Sequence, residues 1–489
     1  MFKTNFQMRI LGKTIGLLML AACSIGPDYA KPEINVPGKW HRENVFEYGQ
    51  MRLDKWWKIF GDSSLDILIE TARDNNPDIK IAQNRLKEAG LSRDISKSLL
   101  FPTIDTSGYL KRARFSRTLE PDAMGKTINI YGLDISAGWE IDLWGKNRRA
   151  LEASSAMEEA TEAVYDDALV SLYAEVAVNY VNLRTLEKRL AIAKKSIESR
   201  ENNLEIVKKR YDAQLVSELD IHQAEQNLAS SKAAVPALEA GIAKTKNLLT
   251  FLCGMEPGML DDLLVADDTI PEATAKIVID IPAEALRQRP DIRAAERTLA
   301  AQTAMIGVKK ADLLPKFNLF GSFGIGAAGG ALFRSYNKAW DIGSAFFWNV
   351  FDFGRISNLV KIEELKTNSA FLNYKKAVLY ALTDVENAII MYASENERMK
   401  HLKKATASAH KALEQVKILY SNGLTDFQNV LSSETYSLLH EDNFIQSQGL
   451  KTIALISLYR AFGGGWQNDS ESDEKEQRGN GKEDKNDKE

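Results

Sequence analysis

From Tyr131 to Leu143 apolar and polar positions alternate without a break. Tyr131, Leu133, Ile135, Ala137, Trp139, Ile141 and Leu143 fall on one face, and Gly132, Asp134, Ser136, Gly138, Glu140 and Asp142 on the other. This spacing predicts a two-faced strand well beyond the common ~5–6 residues. Such a strand fits the edge of a soluble sandwich, or one stave of a membrane barrel with lipid outside and water inside. Two further stretches follow suit. Phe317, Leu319, Phe323 and Ile325 share a face opposite Asn318 and Ser322. Trp340, Ile342, Phe346, Trp348 and Val350 lie opposite Asp341, Gly343 and Asn349, although Phe347 and Phe351 spoil that polar side. A fourth candidate, Thr103 to Leu110, alternates only moderately.

Elsewhere the period is helical. Leu169, Val176, Leu183, Leu190, Ile197, Leu204 and Tyr211 recur every seven residues, with Leu172, Leu186, Ala193 and Val207 three later. That is a coiled-coil seam. No proline interrupts Asn147 to Arg210, so at ~1.5 Å per residue the helix reaches roughly 100 Å. A turn at Asp212 to Val216 precedes a return helix. Val378, Val385, Met399 and Leu413 form a second seam, with a turn at Ser421-Asn422-Gly423.

The chain therefore says the same thing twice. Asn76-Pro77-Asp78-Ile79 recurs as Arg289-Pro290-Asp291-Ile292, and Pro102 recurs as Pro315, both 213 positions on. Trp139 to Lys146 answers to Trp348 to Arg355, Tyr211 to Tyr420 and Gly254 to Gly463, all 209 on. Constant offsets over such a span mark an internal repeat, with four residues lost in a loop. Pro and Asp at Pro77-Asp78 and Pro290-Asp291 suit helix N-termini.

The resulting division is a signal peptide over 1–22 and an extended segment over 23–60. Repeat 1 covers 61–254, with strands about 102–112 and 127–143 and helices about 147–210 and 217–252. A linker over 255–282 leads to repeat 2, 283–463, with strands about 315–326 and 338–353 and helices about 356–420 and 426–462. The charged stretch 464–489 reads as a disordered tail.

Composition adds little: 489 residues, enough for two or three domains, with a net charge of −4 and no basic footprint for nucleic acid. The N-terminus changes the picture. Lys3, Arg9 and Lys13 precede the apolar run Ile15 to Leu20, a secretory signal too short to span a bilayer. Leu20-Ala21-Ala22-Cys23 resembles a bacterial lipobox, which implies acylation at Cys23. By resemblance to lipoprotein sorting, Ser24 in place of an aspartate favours the outer membrane.

Four membrane strands cannot close, since the smallest spanning barrels use ~8, and open edges in lipid leave backbone groups unpaired. Either the strands lie outside a membrane or several chains share one barrel.

The ordered set of lipobox, Gly26-Pro27-Asp28-Tyr29, duplicated Pro-Asp helix starts, Leu-Pro strand entries, Trp…Gly-Lys/Arg strand exits and Tyr-x-x-Gly turn resembles the TolC-like outer-membrane factors. The nearest branch is the lipoproteins serving resistance–nodulation–division efflux pumps, and the resemblance runs from about Cys23 to Trp466. It implies an α+β membrane protein: a duplicated strand pair plus long helical hairpin, assembled as a homotrimer. The trimer would carry a 12-stranded β-barrel in the outer membrane, continued by a periplasmic α-helical coiled-coil tunnel. A periplasmic adaptor (membrane fusion) protein and an inner-membrane transporter are the implied partners, and the duct passively conducts drugs, metals or other small solutes.

By position, the resemblance places adaptor docking and gating at the two helix turns. These comprise Tyr211, Gln214, Leu215, Ser217 and Asp220 in repeat 1, and Tyr420, Gly423, Leu424, Thr425 and Asp426 in repeat 2. Gly423 suits a positive backbone angle better than Gln214 does. Ser217 or Thr425 is a candidate cap of its return helix, with Asp220 or Gln428 completing a box. Asn429 and Ser432 stand where related channels carry an acidic ring. Asp426, or Asp220 and Gln223 of the first repeat, are left to line the constriction, and closure is expected from polar and aromatic packing around Tyr420 and Phe427.

Other signals fail. Gly324-x-Gly326-x-x-Gly329 fits a dinucleotide fingerprint but lacks the following helix, so it reads as a loop between strands. The five histidines have no metal-ligand spacing, no catalytic constellation is recognisable, and Cys253 reads as a small core residue. The expectation is a non-enzyme without cofactor or bound metal. A duct for type I protein secretion would share this architecture, and a lipid-anchored coiled-coil adaptor without a pore would share its helices.

Overall fold

A computed structural model describes residues 24–41, 47–49, 51, 53–114, 116, 127–264, 269–273, 278–330 and 332–468. The signal peptide over 1–22, the acylation candidate Cys23 and residues 469–489 of the charged tail lie outside the described residues.

In chain order the elements are β1 (Glu47–Tyr48), α1 (Ser63–Asn75), α2 (Pro77–Ser98), β2 (Thr103–Arg114), β3 (Thr127–Ile141), α3 (Lys146–Asp212) and α4 (Glu218–Leu252). There follow β4 (Val278–Ile279), α5 (Pro282–Gln288), α6 (Pro290–Ala311), β5 (Lys316–Ala328), β6 (Lys338–Phe347), α7 (Arg355–Ser421) and α8 (Phe427–Ala461). The two long helices have 67 residues each and the two return helices 35 each. No helix among the described residues is long and apolar enough to cross a membrane.

Two compact units emerge, and each is described by itself. The first comprises the described parts of residues 1–33, 85–162 and 294–375. It holds one antiparallel sheet in the order β2-β3-β5-β6. Thr103 faces Gly138, Ile141 faces Phe317, and Lys316 faces Phe347. This register puts Ile135 opposite Phe323 and Trp139 opposite Leu319, so the apolar sides of neighbouring strands coincide. The moderately alternating stretch from Thr103 to Leu110 is paired along its whole length, and the pairing continues to Arg114.

The other strands differ from the sequence reading at their ends. β6 stops at Phe347 rather than running to 353, because β5 begins at Lys316 and the preceding Pro315 has no N–H to extend the ladder. β3 stops at Ile141, short of 143. Gly324 and Gly326 of the dinucleotide-like motif lie inside β5 opposite Asp134 and Gly132, within the strand expected over about 315–326, and Gly329, at φ 69°, begins the turn. Their lack of a side chain suits a close cross-strand approach, since a Cβ on Gly324 would fall 2.8 Å from the Asp134 Cβ.

The N-terminal residues 24–33 form a strap on this unit. The Ile25 amide donates to the Trp144 carbonyl at 3.0 Å, and Gly26, at φ 105°, comes so close to Gly307 that a Cβ would sit 2.5 Å from its Cα. The buried Arg149 guanidinium pairs with Asp28 at 2.5 Å and reaches the Ile25 carbonyl at 3.3 Å. Lys31 pairs with Glu296 at 2.6 Å, and the Tyr29 hydroxyl donates to the same carboxylate at 3.3 Å. Burial opposes ionisation of Glu296, but Lys31 and Arg297 outweigh it and hold the carboxyl below its ordinary value.

The second unit comprises the described parts of 34–84, 163–293 and 376–489, and it contains the main apolar core. Trp40, Trp56, Trp57, Phe60, Leu68, Tyr173, Tyr180, Leu249, Cys253 and Phe462 are all buried there. Trp56 stacks on Tyr459 with ring centroids 5.3 Å apart, and Trp57 meets Tyr173 edge-on at 5.0 Å. The segment read as extended over 23–60 thus folds back to supply much of this core. It includes a short 3₁₀ turn at Trp56–Phe60 and the strand β1, which pairs in parallel with β4 from the stretch read as a linker. Residues 464–467, assigned to the tail, are also packed. The Trp466 indole donates to the Gln288 carbonyl at 3.2 Å beneath the Arg293 guanidinium, 4.6 Å from the ring centroid.

The duplication is visible in the way each return helix is clasped. The Asn76 side chain donates to the Leu252 carbonyl at 2.9 Å, and Arg289, at the matching place, donates to the Ala461 carbonyl at 2.5 Å. Each clasp is followed by a left-handed glycine, Gly254 at φ 64° and Gly463 at φ 73°. Along α3, Leu169, Val176 and Leu183 are fully buried, whereas Leu190, Ile197 and Leu204 are half-buried and Tyr211 is exposed. A strict seven-residue repeat drifts by ~20° per heptad on a nearly straight helix, and Ser196, Arg200 and Val207 take over the buried line.

Candidate functional site

The two hairpin turns are built alike. The Leu215 amide donates to the Arg210 carbonyl at 2.9 Å and the Gln214 amide to the Tyr211 carbonyl at 2.8 Å. In the second turn Leu424 reaches the Leu419 carbonyl at 2.9 Å and Gly423 the Tyr420 carbonyl at 3.1 Å. Both are Schellman closures, which need a left-handed residue after the helix. Gln214 adopts it at φ 60° and Gly423 at φ 71°. The closure throws the next residue outward, and Leu215 and Leu424 are each 72% exposed.

The caps differ from the sequence reading. Asp426, not Thr425, caps α8, its Oδ1 accepting from the Asn429 amide at 2.9 Å. Thr425 instead accepts from the Asn429 side chain at 3.0 Å, and Gln428 reaches the Ser432 hydroxyl at 3.5 Å rather than closing a box. Ser217 occupies the cap of α4 without a side-chain bond; its carbonyl accepts from the half-buried Asp220. Asp426 occupies the N-cap position itself, extended at φ −86° and ψ 166°, so its carboxylate is the group placed to reach the third amide of the helix.

The two turns are joined. Val207, Ala224, Phe427, Val430 and Leu431 form a buried cluster against which Leu204, Val216, Ile221 and Tyr420 pack. Phe427, expected at the constriction, therefore lies inside the hairpin pair, its ring centroid 5.6 Å from that of Tyr420. Arg210 covers the other face of the join, with its guanidinium 4.3 Å from the Tyr420 centroid.

Sequence reasoning missed the polar ties that hold α3 to α8. Arg189 forks onto Asp442 at 2.6 and 3.2 Å. Buried Arg200 donates to the Asn227 carbonyl at 2.7 Å and lies 3.8 Å from buried Glu434, which accepts from Ser199 at 3.1 Å. The spacing of Arg189, Arg200 and Arg210, near eleven residues, keeps them close to one helix face and was the available signal.

The sheet is the second notable surface. Ile104, Leu110, Ile135, Phe323, Trp340, Ile342 and Phe346 all expose their side chains on one face. An apolar expanse of this kind on a single chain marks a surface that meets something other than water. The opposite face carries Asp105, Ser107, Asp134 and Asp341; Ser107 donates to Asp134 at 2.6 Å and Ser322 to Asp341. On that face the Tyr109 ring covers Gly132 and the Phe320 ring covers Gly343, where any Cβ would collide with the ring. Trp139 and Trp348 make the same bond in the two repeats, donating to the carbonyls of Leu100 at 3.1 Å and Leu313 at 3.0 Å.

A family model described as outer membrane efflux protein matches residues 68–255 and 281–464, one segment in each repeat. The chain belongs to that family. It is 29% identical over 420 residues to the nodulation protein T of Rhizobium leguminosarum bv. trifolii, covering 85% of this chain and 89% of the relative. Among solved structures, the outer-membrane channel OprN superposes with a TM-score of 0.82 at 32% identity, covering 91% of this chain and all of that one. The open state of the MtrE outer membrane channel of Neisseria gonorrhoeae gives 0.81 at 25% identity, covering 91% and 99%. This efflux protein is thus the outer-membrane channel component of an export system, and its hairpin-and-sheet fold is that of known channels.

Proposed function

We propose that three copies of this efflux protein share one 12-stranded barrel in the outer membrane. Their paired helices form a periplasmic tunnel through which solute passes passively from an inner-membrane transporter and its adaptor. The observation that carries this reading is the four-stranded sheet, whose apolar face is exposed and whose outer strands β2 and β6 are, among the described residues, each paired on one side only. In lipid those open edges would each leave a row of unpaired backbone groups, and other copies of the chain can supply the missing partners. Three copies give twelve strands, wide enough for a wet pore, whereas two give eight, which pack shut.

In this scheme the apolar face meets lipid, with Trp139 and Trp348 near one interface, and the Asp and Ser face lines water. Cys23 carries acyl chains that hold the strap to the same bilayer. Leu215 and Leu424, with Tyr211 and Gly423 beside them, form the adaptor-docking tips. Tyr420, Asp426, Asn429 and Ser432 form the mobile part of the gate, with Asp220 beside it.

Reconstitution of the purified chain into planar bilayers tests the reading, together with tryptophan quenching by brominated lipid. Unit conductances with quenching of Trp139, Trp340 and Trp348 are expected. A water-soluble monomer with unquenched tryptophans would overturn it.

A further inference from the structure

We infer that β6 of one copy pairs antiparallel with β2 of the next in one definite register, with Asn349 opposite Asp105 and Asp341 opposite Ala113 of a second copy. The inference rests on the shared-barrel reading and goes beyond it by fixing which residues meet.

The argument is the internal repeat. Moving the first strand of a repeat by 213 positions and the second by 209 carries the Thr103–Gly138 pair onto Lys316–Phe347, and that pair is observed. The sequence offsets therefore act as a structural operator on the sheet. The same operator applied to the β3–β5 contact, which joins repeat 1 to repeat 2, generates the contact joining repeat 2 to the following repeat 1. Glu140–Asn318 becomes Asn349–Asp105, Gly132–Gly326 becomes Asp341–Ala113, and Ile141–Phe317 becomes Val350–Ile104.

Three independent features agree. Chemically, the mapped pairs keep the faces separate: Val350, Trp348 and Phe346 fall opposite Ile104, Thr106 and Gly108, all on the exposed apolar side, so no side chain must cross to the polar side. Structurally, residues 348–350 have no ladder partner among the described residues although they continue the alternation of β6. The mapped register gives them one.

The third feature is a seat left empty. Trp144 is half-buried at the join between repeats, its indole donating to the Pro315 carbonyl at 2.8 Å. The operator maps this contact onto Phe353 and Pro102 of a second copy. Within one chain Phe353 is 89% exposed and holds a left-handed φ of 55°, a conformation an aromatic residue rarely adopts. A neighbouring copy offers this ring the surface that Trp144 finds inside the chain.

Paired cysteines in the full-length protein test the register. Directly opposed strand residues have Cα atoms about 4.5–5.5 Å apart, inside the about 4.4–6.8 Å that a disulfide spans, whereas diagonal neighbours at about 7–8 Å fall outside it. Asp105→Cys with Asn349→Cys, and separately Ala113→Cys with Asp341→Cys, are expected to form covalent dimers and closed trimers on mild oxidation in membranes. Asn349→Cys combined with Thr103→Cys or Ser107→Cys is expected to link at least tenfold less. Preferential linking of either offset pair overturns this register while leaving the shared barrel intact. Absence of every link in a chain that still migrates as a native trimer does the same. Absence of links in a chain that migrates as a monomer overturns the barrel itself.

Discussion

The Arg210 guanidinium stacks over the Tyr420 ring and donates from both terminal nitrogens to the Tyr420 carbonyl at 3.3 Å, with a further contact to the Ser421 carbonyl at 3.3 Å. One side chain of the first hairpin therefore satisfies the C-terminal carbonyls of the second hairpin's long helix and covers its last aromatic. The residue matching Arg210 in the other repeat is Leu419, so the tie is one-sided. Arg210→Ala is expected to loosen the second turn by about 1–2 kcal/mol, from the lost cation–π contact and charge-assisted bonds. Amide exchange at residues 422–424 should quicken about tenfold, and resting conductance in bilayers should rise. Arg210→Lys restores little, because a point charge cannot fork onto two carbonyls and stack at once. Unchanged exchange in the alanine variant would remove this tie from the account.

Gln214 holds a left-handed backbone that its counterpart Gly423 holds without strain. Gln214→Gly is expected to stabilise the first turn by up to about 1 kcal/mol, and Gly423→Ala to destabilise the second by a similar amount. Opposite signs in hydrogen exchange of the two turns check this; equal signs would show that the turn geometry does not govern their order.

At the strap, Glu296 is held ionised by Lys31 and Arg297 below its ordinary value of 4.5. A depressed carboxylate contributes stability that is present above its unfolded value and lost as pH falls through the lower folded value. The strap should therefore be unaffected between pH 7 and 5 and loosen only below about 4.5. Limited proteolysis of residues 24–33 across this range reads the effect. Glu296→Gln should release the strap at neutral pH by about 1 kcal/mol, a modest figure because Lys31 is largely solvated. A strap equally protected in the variant and the parent would count against this role.

Much of the architecture was written in period and offset. The seam through Leu169, Val176 and Leu183 gave the long helix, and alternation in Tyr131–Ile141 gave the strand, because each pattern reports which side is buried. The offsets of 213 and 209 marked the repeat, and only the paired strands show that the same two numbers carry one register onto the other. What escaped was set by contacts between distant residues. Trp40, Trp56 and Trp57 carry no period, so their burial under Tyr459 and Phe462 could not be seen along the chain. The choice of Asp426 over Thr425 as cap depends on a backbone angle at the turn. Arg200 and Glu434 look like surface charges on two helices, and only the fold buries them against each other.

That buried pair yields a stability prediction. Glu434 accepts from Ser199 and Asn203 as well as facing Arg200, whose Nε has no hydrogen-bond partner among the described residues. Glu434→Ala removes the compensating charge and leaves Arg200 buried, at a cost of about 3 kcal/mol. Glu434→Gln keeps the acceptor and should cost less than half as much. Thermal unfolding followed by helical circular dichroism in detergent compares them, and equal losses would argue that packing rather than charge matters there.

The two clasp glycines separate backbone strain from crowding. Both Gly254 and Gly463 are left-handed, so alanine at either pays the same conformational penalty of about 1 kcal/mol. Their surroundings differ. A Cβ on Gly254 would lie 2.4 Å from the Asn75 carbonyl oxygen, a backbone atom at the end of α1 that cannot swing aside. On Gly463 the nearest atoms are the Arg289 Cα at 3.1 Å and the Gln288 oxygen at 3.2 Å, distances that a shift of a few tenths of an ångström relieves. Gly254→Ala should therefore destabilise by about 3 kcal/mol and Gly463→Ala by about 1–2 kcal/mol. Because Asn76 clasps the Leu252 carbonyl next to Gly254, the first substitution should also expose Cys253, whose thiol burial now pushes up to about 11. Alkylation of Cys253 at pH 8 should be slow in the parent and in Gly463→Ala, and faster in Gly254→Ala. Equal alkylation in the two variants would mean that crowding against α1 does not distinguish the repeats.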